Sequence, residues 1–105
     1  MQISVSGRHL HLSDDVQDYA RSKVFKLAHF FNKIQTIDVI ITKEGPNYAA
    51  EIIVKPDHRE SFVGRGCSPD IQACIDLSMD KLERQITRYK EKIRTHKHQA
   101  GSAET

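Results

Sequence analysis

The chain has 105 residues, a formal net charge of +2 and 38% hydrophobic residues, with four phenylalanines and no tryptophan. A chain of this length fits one domain and needs a single compact core, because it buries only about two thirds of its unfolded surface. It contains no apolar run near the ~20 residues of a membrane-spanning helix and no signal-peptide pattern, so we expect a soluble, cytoplasmic protein.

The first half of the chain predicts a strand, a helix and a second strand. Residues 2–6 alternate apolar and polar side chains, as do residues 37–42, which is typical of strands with one buried face. Between them, Ser13 is a good N-cap for a helix over about residues 14–31. The apolar side chains of that helix recur with a 3.6-residue period: Val16, Ala20, Val24, Leu27 and Phe31.

Two further strands follow in the second half. A turn-forming cluster, Glu44-Gly45-Pro46-Asn47, precedes a strand over residues 48–54, and a fourth strand covers residues 61–65. Gly64 and Gly66 interrupt the last pattern and indicate a kink in an edge strand.

A long C-terminal helix is predicted over residues 69–95. Ser68-Pro69-Asp70 supplies an N-cap, a proline at the first helical position and an acid in the first turn. Its core side is apolar: Ile71, Cys74, Ile75, Ser78, Leu82, Ile86, Tyr89 and Ile93. At roughly 40 Å it is longer than a seven-residue strand of about 23 Å, so its end should overhang the sheet. The overhang carries cations into solvent: Lys90, Lys92, Arg94 and Lys97.

The order β-α-β-β-β-α predicts an α+β fold. A right-handed crossover makes the first two strands parallel, and the last three strands form an antiparallel meander. The expected architecture is a two-layer sandwich, with a four-stranded mixed sheet and both helices on one face. We expect one domain at residues 1–95 and a flexible tail at residues 96–105.

Charge is distributed unevenly along this chain. Residues 1–80 carry 9 basic and 11 acidic side chains, whereas residues 81–105 carry 7 basic and 3 acidic ones. Such an asymmetry indicates an anionic partner for the C-terminal third. The alternative is that these cations keep one helix face soluble and stabilise the helix dipole at its C-terminal end.

A helical wheel groups four of these cations on one flank of the second helix: Lys81, Arg84, Arg88 and Lys92. Lys23 and Lys26 flank the apolar stripe of the first helix. If the helices lie side by side, both flanks border a shared groove, and a groove lined by six cations suits an RNA backbone. The like charges of Arg84 and Arg88 at i,i+4 also favour an external anion. The alternative is a solvated face with an Asp80–Arg84 pair.

Catalytic and metal-binding patterns are incomplete. The pairs His9-x-His11 and His96-x-His98 lack nearby cysteines or carboxylates that would complete a tetrahedral metal site. Gly64-Arg65-Gly66 precedes a helix but matches neither phosphate-binding glycine motif. We therefore expect no enzymatic activity, no metal and no cofactor.

Two cysteines, Cys67 and Cys74, lie seven positions apart without a C-x-x-C pair. We expect both to stay reduced, with Cys74 acting as a small core residue.

The chain resembles the ribosome hibernation promoting factor / ribosome-associated inhibitor family over about residues 1–95. The resemblance rests on the following motifs: Met1-Gln2-Ile3 with Gly7-Arg8, Asp18-Tyr19, Lys23-x-x-Lys26-Leu27, Phe30-Phe31, Asp70 with Ala73 and Ile75-Asp76, Asp80-Lys81-Leu82-Glu83-Arg84-Gln85, and Lys90 with Lys92. The family fold is β-α-β-β-β-α and is similar to double-stranded-RNA-binding domains with an added first strand.

This resemblance implies a non-enzymatic translation factor. It would occupy the decoding channel of the small ribosomal subunit, block tRNA and mRNA, and promote hibernation in stress or stationary phase. Residues that would contact rRNA, carried over by position, are Lys23, Lys26, Lys81, Arg84, Arg88 and Lys92, with Arg8 as a further candidate.

The chain departs from the family pattern at several points. Gln72 stands where many members have Tyr, which puts any contact of that Tyr in doubt. The chain has neither the C-terminal dimerisation domain of the long form nor an extended acidic tail, so we expect the short hibernation-promoting branch. That branch implies ribosome pairing together with a separate ribosome modulation factor, and we expect a monomer off the ribosome.

Two alternative functions remain open at this point. One is a generic double-stranded RNA-binding module outside the ribosome. The other is a small α+β enzyme, which would need a constellation such as His9 and His11 beside Cys67.

Overall fold

The structure is a computed structural model that describes residues 1–103, with side chains described for residues 1–29 and 31–93. Its elements, in chain order, are β1 (Gln2–Arg8), α1 (Asp14–Phe25), α2 (Leu27–Phe30), β2 (Ile34–Glu44), β3 (Asn47–Pro56), β4 (Phe62–Ser68) and α3 (Ile71–Ala103). The predicted order β-α-β-β-β-α is confirmed, with the single-turn α2 following α1 where one continuous helix was expected.

The four strands form one mixed sheet in the order β1-β2-β3-β4. β1 and β2 are parallel, from Gln2 opposite Thr36 to Arg8 opposite Thr42. The pairs β2–β3 and β3–β4 are antiparallel. The predicted parallel pair and antiparallel meander are therefore both confirmed.

The hydrophobic core lies between this sheet and the helices. Every second side chain of the central strands is buried against α1 and α3, as expected for a sheet with one covered face. The largest fully buried apolar side chains are Leu27, Ile37, Ile41, Ile52, Ile75, Leu82, Ile86, Val24, Val39, Val54 and Cys74. This is the predicted two-layer sandwich with the helices on one face.

α3 packs very closely on β4 at two glycines. A Cβ at Gly66 would lie 2.5 Å from the carbonyl oxygen of Cys74 and 2.6 Å from the backbone nitrogen of Ser78, and a Cβ at Gly64 would collide with the Ser78 carbonyl oxygen. The prediction of an edge-strand kink is wrong, because β4 pairs with β3 residue by residue without a register shift. The glycines instead remove the side chains that would separate strand from helix.

The buried hydroxyl of Ser78 is satisfied within α3 at this contact. Its Oγ donates to the carbonyl oxygen of Cys74 at 2.8 Å, with the Ile75 carbonyl oxygen at 3.1 Å. A small polar side chain can therefore face the glycines without an unpaired donor.

The start of the first helix is as predicted, but its end is not. The Oγ of Ser13 accepts the N–H of Val16 at 3.3 Å, which confirms the N-cap. α1 ends at Phe25 because the N–H of Lys26 bonds to the carbonyl oxygen of Lys23, three residues earlier, at 3.3 Å. Such a bond tightens the last turn and separates α1 from α2.

The N-cap of α3 is Asp70, two residues later than predicted. Its Oδ2 accepts the N–H of Ala73 at 3.0 Å, and its carbonyl oxygen accepts the N–H of Cys74 at 3.0 Å. Ser68, the predicted cap, instead accepts the N–H of Asp70 through its Oγ at 3.1 Å. Because carboxylates and hydroxyls both cap helices well, the residue types alone do not decide between them.

α3 overhangs the sheet, as its predicted length required. Tyr89 still packs against the core, but Ile93, a predicted core residue, is 44% exposed because the sheet does not extend beneath it. Lys90 and Lys92 are exposed, whereas the side chains of Arg94 and Lys97 lie outside the described residues. α3 extends to Ala103, and the predicted tail at 96–105 lies outside the residues described in full and stays a prediction.

At each edge of the sheet, a side chain from a helix bonds to the backbone of the edge strand. Gln85 of α3 accepts the N–H of Val63 at 3.0 Å and donates to its carbonyl oxygen at 3.2 Å, on the outer edge of β4. Arg21 of α1 donates to the carbonyl oxygen of Ile3 in β1 at 3.2 Å. These bonds occupy backbone groups that could otherwise pair with a strand of another molecule.

α1 and α3 are joined by a polar cluster. Oδ1 of Asp76 accepts the hydroxyl of Tyr19 at 2.6 Å and lies 3.1 Å from Nζ of Lys23. The bond to Asp76, aided by desolvation, raises the pKa of Tyr19 above its ordinary 10.0. The same carboxylate raises the pKa of Lys23 above its ordinary 10.5.

Replacing Gly66 with Ala should destabilise the fold strongly, because the added methyl meets the backbone of α3 and helix or strand must move. We expect a loss in the free energy of unfolding of about 1–3 kcal/mol, measured by urea unfolding. Cys67→Ala, at the exposed next position of β4, is the matched control. Equal midpoints for the two variants would contradict the close-packing account.

Replacing Asp76 with Asn should lower the free energy of unfolding at neutral pH. Because both raised pKa values lie above the ordinary ones, the stabilisation from Tyr19 and Lys23 is fully present below about pH 10 and is lost as the pH rises further. The difference between wild type and variant should therefore shrink as the pH rises above about 10 in urea titrations. Asp80→Asn, one turn later, should show no such trend, and a constant difference for Asp76→Asn would disprove the coupling.

Candidate RNA-binding surface

Four exposed cations follow one flank of α3: Lys81, Arg84, Arg88 and Lys92. They are spaced three or four residues apart and extend over about 17 Å of helix. The rotation of α3 is determined by its buried side, where Leu82 and Ile86 are fully inaccessible to solvent. Core packing therefore decides which way the cations point.

Three of the four cations of this basic flank follow the β4 edge of the sheet, and Arg84, about 100° around the helix from Gln85, points away from the sheet. Gln85 contacts β4, and at about 100° per residue Lys81, Arg88 and Lys92 lie within about 60° of it around the helix axis. Asp76, which contacts α1, lies on the opposite side of the helix. The sequence had suggested that the α3 cations and those of α1 border one groove, and the structure does not bring them together there.

Lys23 and Lys26 have different surroundings on α1. Lys23 is half-buried in the seam, where Asp76 neutralises it. Lys26 is exposed at the C-terminal end of α1. Of the two, Lys26 is the one whose charge is directed to solvent.

Arg8 lies on the helix-free face of the sheet. The partly buried side chains of β1 include Ile3 and Val5, so the strand alternation directs Arg8 away from the core. It lines a cavity of about 350 Å³ together with Glu51 and Arg65, and Nη2 of Arg65 pairs with Oε2 of Glu51 at 2.7 Å. The sheet therefore separates Arg8 from the helix cations.

The cations of the basic flank lack carboxylate partners. Among the described side chains, the ion pairs are Lys23–Asp76 and Arg65–Glu51. The alternative Asp80–Arg84 pair is not formed within 4.0 Å, although both residues line a shallow cavity of about 500 Å³ on α3. Although Asp80 and Glu83 line that cavity, the flank cations form no ion pair with them, which favours an external anion.

An aromatic and basic cleft at the overhanging end of α3 was not indicated by the sequence patterns. There Arg59 lies over the ring of Tyr89, with 3.8 Å between the guanidinium carbon and the ring centroid. The two residues are far apart in the chain, and one lies in a turn without a motif. Arg59 and Tyr89 come together only in the folded protein, where the β3–β4 turn packs against α3, so the sequence alone does not reveal the pair.

The described part of the chain holds neither a metal site nor a membrane span. Among the side chains of residues 1–29 and 31–93, no group of three or more His, Cys, Asp or Glu could hold a metal ion. No helix in that part of the chain is long and apolar enough to cross a membrane. Cys74 is buried, as predicted for a core residue, and desolvation raises the pKa of its thiol to about 11.

Comparison with known proteins gives consistent matches. Residues 3–94 match the family described as "Sigma 54 modulation protein / S30EA ribosomal protein". A ribosome hibernation promoting factor of Azotobacter vinelandii is 35% identical over 92 residues, which cover 88% of this chain and 85% of that protein.

Two solved structures are similar to this fold. A ribosomal subunit interface protein from Coxiella burnetii gives a TM-score of 0.79 at 23% identity, covering 87% of this chain and 99% of that one. The N-terminal domain of Thermus thermophilus Protein Y gives a TM-score of 0.73 at 27% identity. That match covers 85% of this chain and 99% of the other. The family match extends over nearly the whole domain, and the chain therefore belongs to the Sigma 54 modulation protein / S30EA ribosomal protein family, which includes the ribosome hibernation promoting factors that it matches.

Proposed function

We propose that this protein binds the ribosome and silences it, with the basic flank of α3 on the phosphates of small-subunit rRNA. The ribosome hibernation factor family consists of non-enzymatic, ribosome-binding proteins. In this proposal the protein occupies the decoding channel, where it blocks tRNA and mRNA and promotes ribosome pairing in stress or stationary phase.

One observation carries the rRNA part of the proposal. Lys81, Arg84, Arg88 and Lys92 form a row of exposed cations without ion-pair partners among the described side chains. Phosphate contacts of this kind supply much of the affinity for nucleic acids and need little base recognition. A row on a rigid helix presents its charges without the cost of ordering a loop.

Lys26 is a further candidate contact on α1, separate from the basic flank, because it is exposed. Lys23 and Arg8 are expected to contribute less to rRNA binding. Lys23 is paired with Asp76, and Arg8 is on the other face of the sheet. We therefore rank the contacts with rRNA in the order basic flank, Lys26, Lys23 and Arg8.

The same proposal implies where the protein acts, which further factor acts with it, and its oligomeric state. A ribosome-bound protein of this kind is cytoplasmic and acts together with a separate ribosome modulation factor on the same ribosome. In this proposal the protein is a monomer off the ribosome, and the bonds to Ile3 and Val63 occupy part of each sheet edge.

Charge reversal at Lys81, Arg84 and Arg88 should abolish co-sedimentation with ribosomes on sucrose gradients. Each reversed contact converts attraction for phosphate into repulsion, while the exposed positions leave the core intact. Reversal at Lys43 and Lys55, exposed strand cations away from α3, is the control. Circular dichroism and urea unfolding check that both proteins fold.

Unchanged sedimentation of the α3 variant would overturn the proposal. Binding of wild type to plain duplex RNA as tightly as to ribosomes would instead assign the protein to generic double-stranded RNA binding. Ribosome profiles with and without the protein report pairing in the same gradients.

Ribosome binding should weaken steeply with monovalent salt. If the four flank cations each contact one phosphate, the logarithm of the association constant should fall against the logarithm of salt with a slope of about −3 to −4. Titration at constant magnesium measures this slope. Arg88→Gln should reduce its magnitude by about one, and a wild-type slope near zero would exclude phosphate contacts as the source of affinity.

A further inference from the structure

A cleft of about 450 Å³ lies at the end of the sheet where α3 overhangs, outside the basic flank. Three segments build it: the loop between α2 and β2, the turn between β3 and β4, and the α3 stretch around Tyr89. Its volume falls within the range of small-molecule sites. The cleft is lined by a mixture of aromatic, apolar and charged side chains, which is typical of sites for ligands with both a flat apolar part and a charge.

The base of the cleft is a packed aromatic cluster. Phe31, Phe62 and Tyr89 meet edge to face, with ring centroids 5.4–5.8 Å apart. Phe62 is buried and the other two are half-buried at the cleft surface. Since each ring contacts both others, the aromatic surface is held in place before any ligand arrives.

A guanidinium group covers the exposed aromatic face. The guanidinium carbon of Arg59 lies 3.8 Å from the centroid of Tyr89, and Arg59 is exposed and lines the cleft. A planar guanidinium held against a ring offers its other face to a further flat group. Nucleic-acid bases stack on guanidinium planes and aromatic rings in this way.

The charges around the cleft favour an anion with polar edges. Lys33, Arg59 and Lys90 line it, with Asp57 as the one carboxylate among the lining residues. The amide of Asn32 is also at the cleft. Asp57 and Asn32 suit the amino and ring nitrogens of a base, whereas the cations suit its phosphate.

The rim of the cleft adopts an unusual backbone conformation. Lys33 has a φ of 64° and His58 a φ of 59°, which non-glycine residues adopt rarely. The N–H of Asp57 donates to the carbonyl oxygen of Lys33 at 2.9 Å and joins the two loops. Non-glycine residues in this region cluster at ligand sites, where the surrounding structure holds the strain.

We propose that this cleft binds one unstacked nucleotide of a single-stranded RNA segment, with the base on the Arg59–Tyr89 stack and its phosphate beside Lys33. The inference deepens the proposed function and rests on it, because it adds a base-stacking site to a surface that binds phosphates. Lys92 of the basic flank lies three residues after Tyr89 of the cleft, about 60° from it around α3, so one RNA strand can contact both.

The stacked arrangement favours a nucleotide over an acidic peptide. A peptide carboxylate would use the cations but leave the outer face of the Arg59 guanidinium, which already covers Tyr89, without a partner. A base uses both the cations and that face, and stacking contributes about 1–3 kcal/mol per base in single-strand binders.

The test compares wild type with Arg59→Lys, which keeps the charge and removes the planar group. Fluorescence anisotropy with a short labelled oligoadenylate, at constant salt, should show at least a five-fold weaker affinity for Arg59→Lys, from the lower limit of about 1 kcal/mol per stacked base. Lys55→Met, an exposed cation in β3, is the control for unspecific charge and should change little. NMR shifts on adding the oligonucleotide should include Phe31, Tyr89 and Ile93.

Two further arms identify the ligand. Adenosine monophosphate that shifts the same signals with equal affinity supports the nucleotide chemistry and assigns it to a free nucleotide. A short glutamate-rich peptide that binds as tightly as the RNA, with the same loss in Arg59→Lys, overturns the proposal in favour of a peptide.

Equal RNA affinity of wild type and Arg59→Lys also overturns the cleft proposal. So do NMR signals of Phe31 and Tyr89 that stay unchanged when RNA is added. Its failure is separable from that of the proposed function. The latter fails when charge reversal on α3 leaves ribosome sedimentation unchanged, whatever Arg59→Lys does.

Discussion

The close approach of α3 to β4 across Gly64 and Gly66 is the contact on which the other features depend. With no side chains on the strand at these positions, the helix backbone at Cys74 and Ser78 comes to rest on the sheet. That contact determines the height and rotation of α3, and a 33-residue helix transmits the rotation along its whole length. The direction of Lys81 and Lys92 is therefore a consequence of two missing side chains in β4.

The charges of the helices divide between internal and external use. Lys23 is directed inward, where Asp76 and Tyr19 bind it into the seam between α1 and α3. Arg21 is directed to the β1 edge, where it donates to Ile3. Only the flank of α3 beside β4 carries a row of cations without such bonds among the described residues. Such a surface can bind an anionic partner without first breaking an ion pair or a hydrogen bond inside the protein.

The strands, the first helix cap and the parallel–antiparallel sheet could be predicted because each has a local cause. The alternation around Val39 and the cap at Ser13 need only neighbouring residues. The prediction of a kink at Gly64 and Gly66 is wrong because their role depends on contact with α3, which is distant in the sequence. The same holds for Gln85, whose side chain pairs with Val63 at a separation of 22 residues.

The candidate site was predictable to a similar extent. Spacing along α3 identifies the row from Lys81 to Lys92 because the helical period is a local property. It cannot tell which flank faces α1, since that depends on packing against β4, and so it grouped Lys23 with cations on the other side of the helix. The pairing of Arg59 with Tyr89 has no local pattern, because a turn and a helix face meet only in the folded chain.

The bonds between Gln85 and Val63 also set an order of events during folding. Val63 and Gln85 are 22 residues apart, so the outer backbone groups of Val63 gain their partner only when α3 has packed against the sheet. Until then a strand of another molecule can pair with them. The helix that carries the row of cations therefore also completes the protection of the β4 edge during folding.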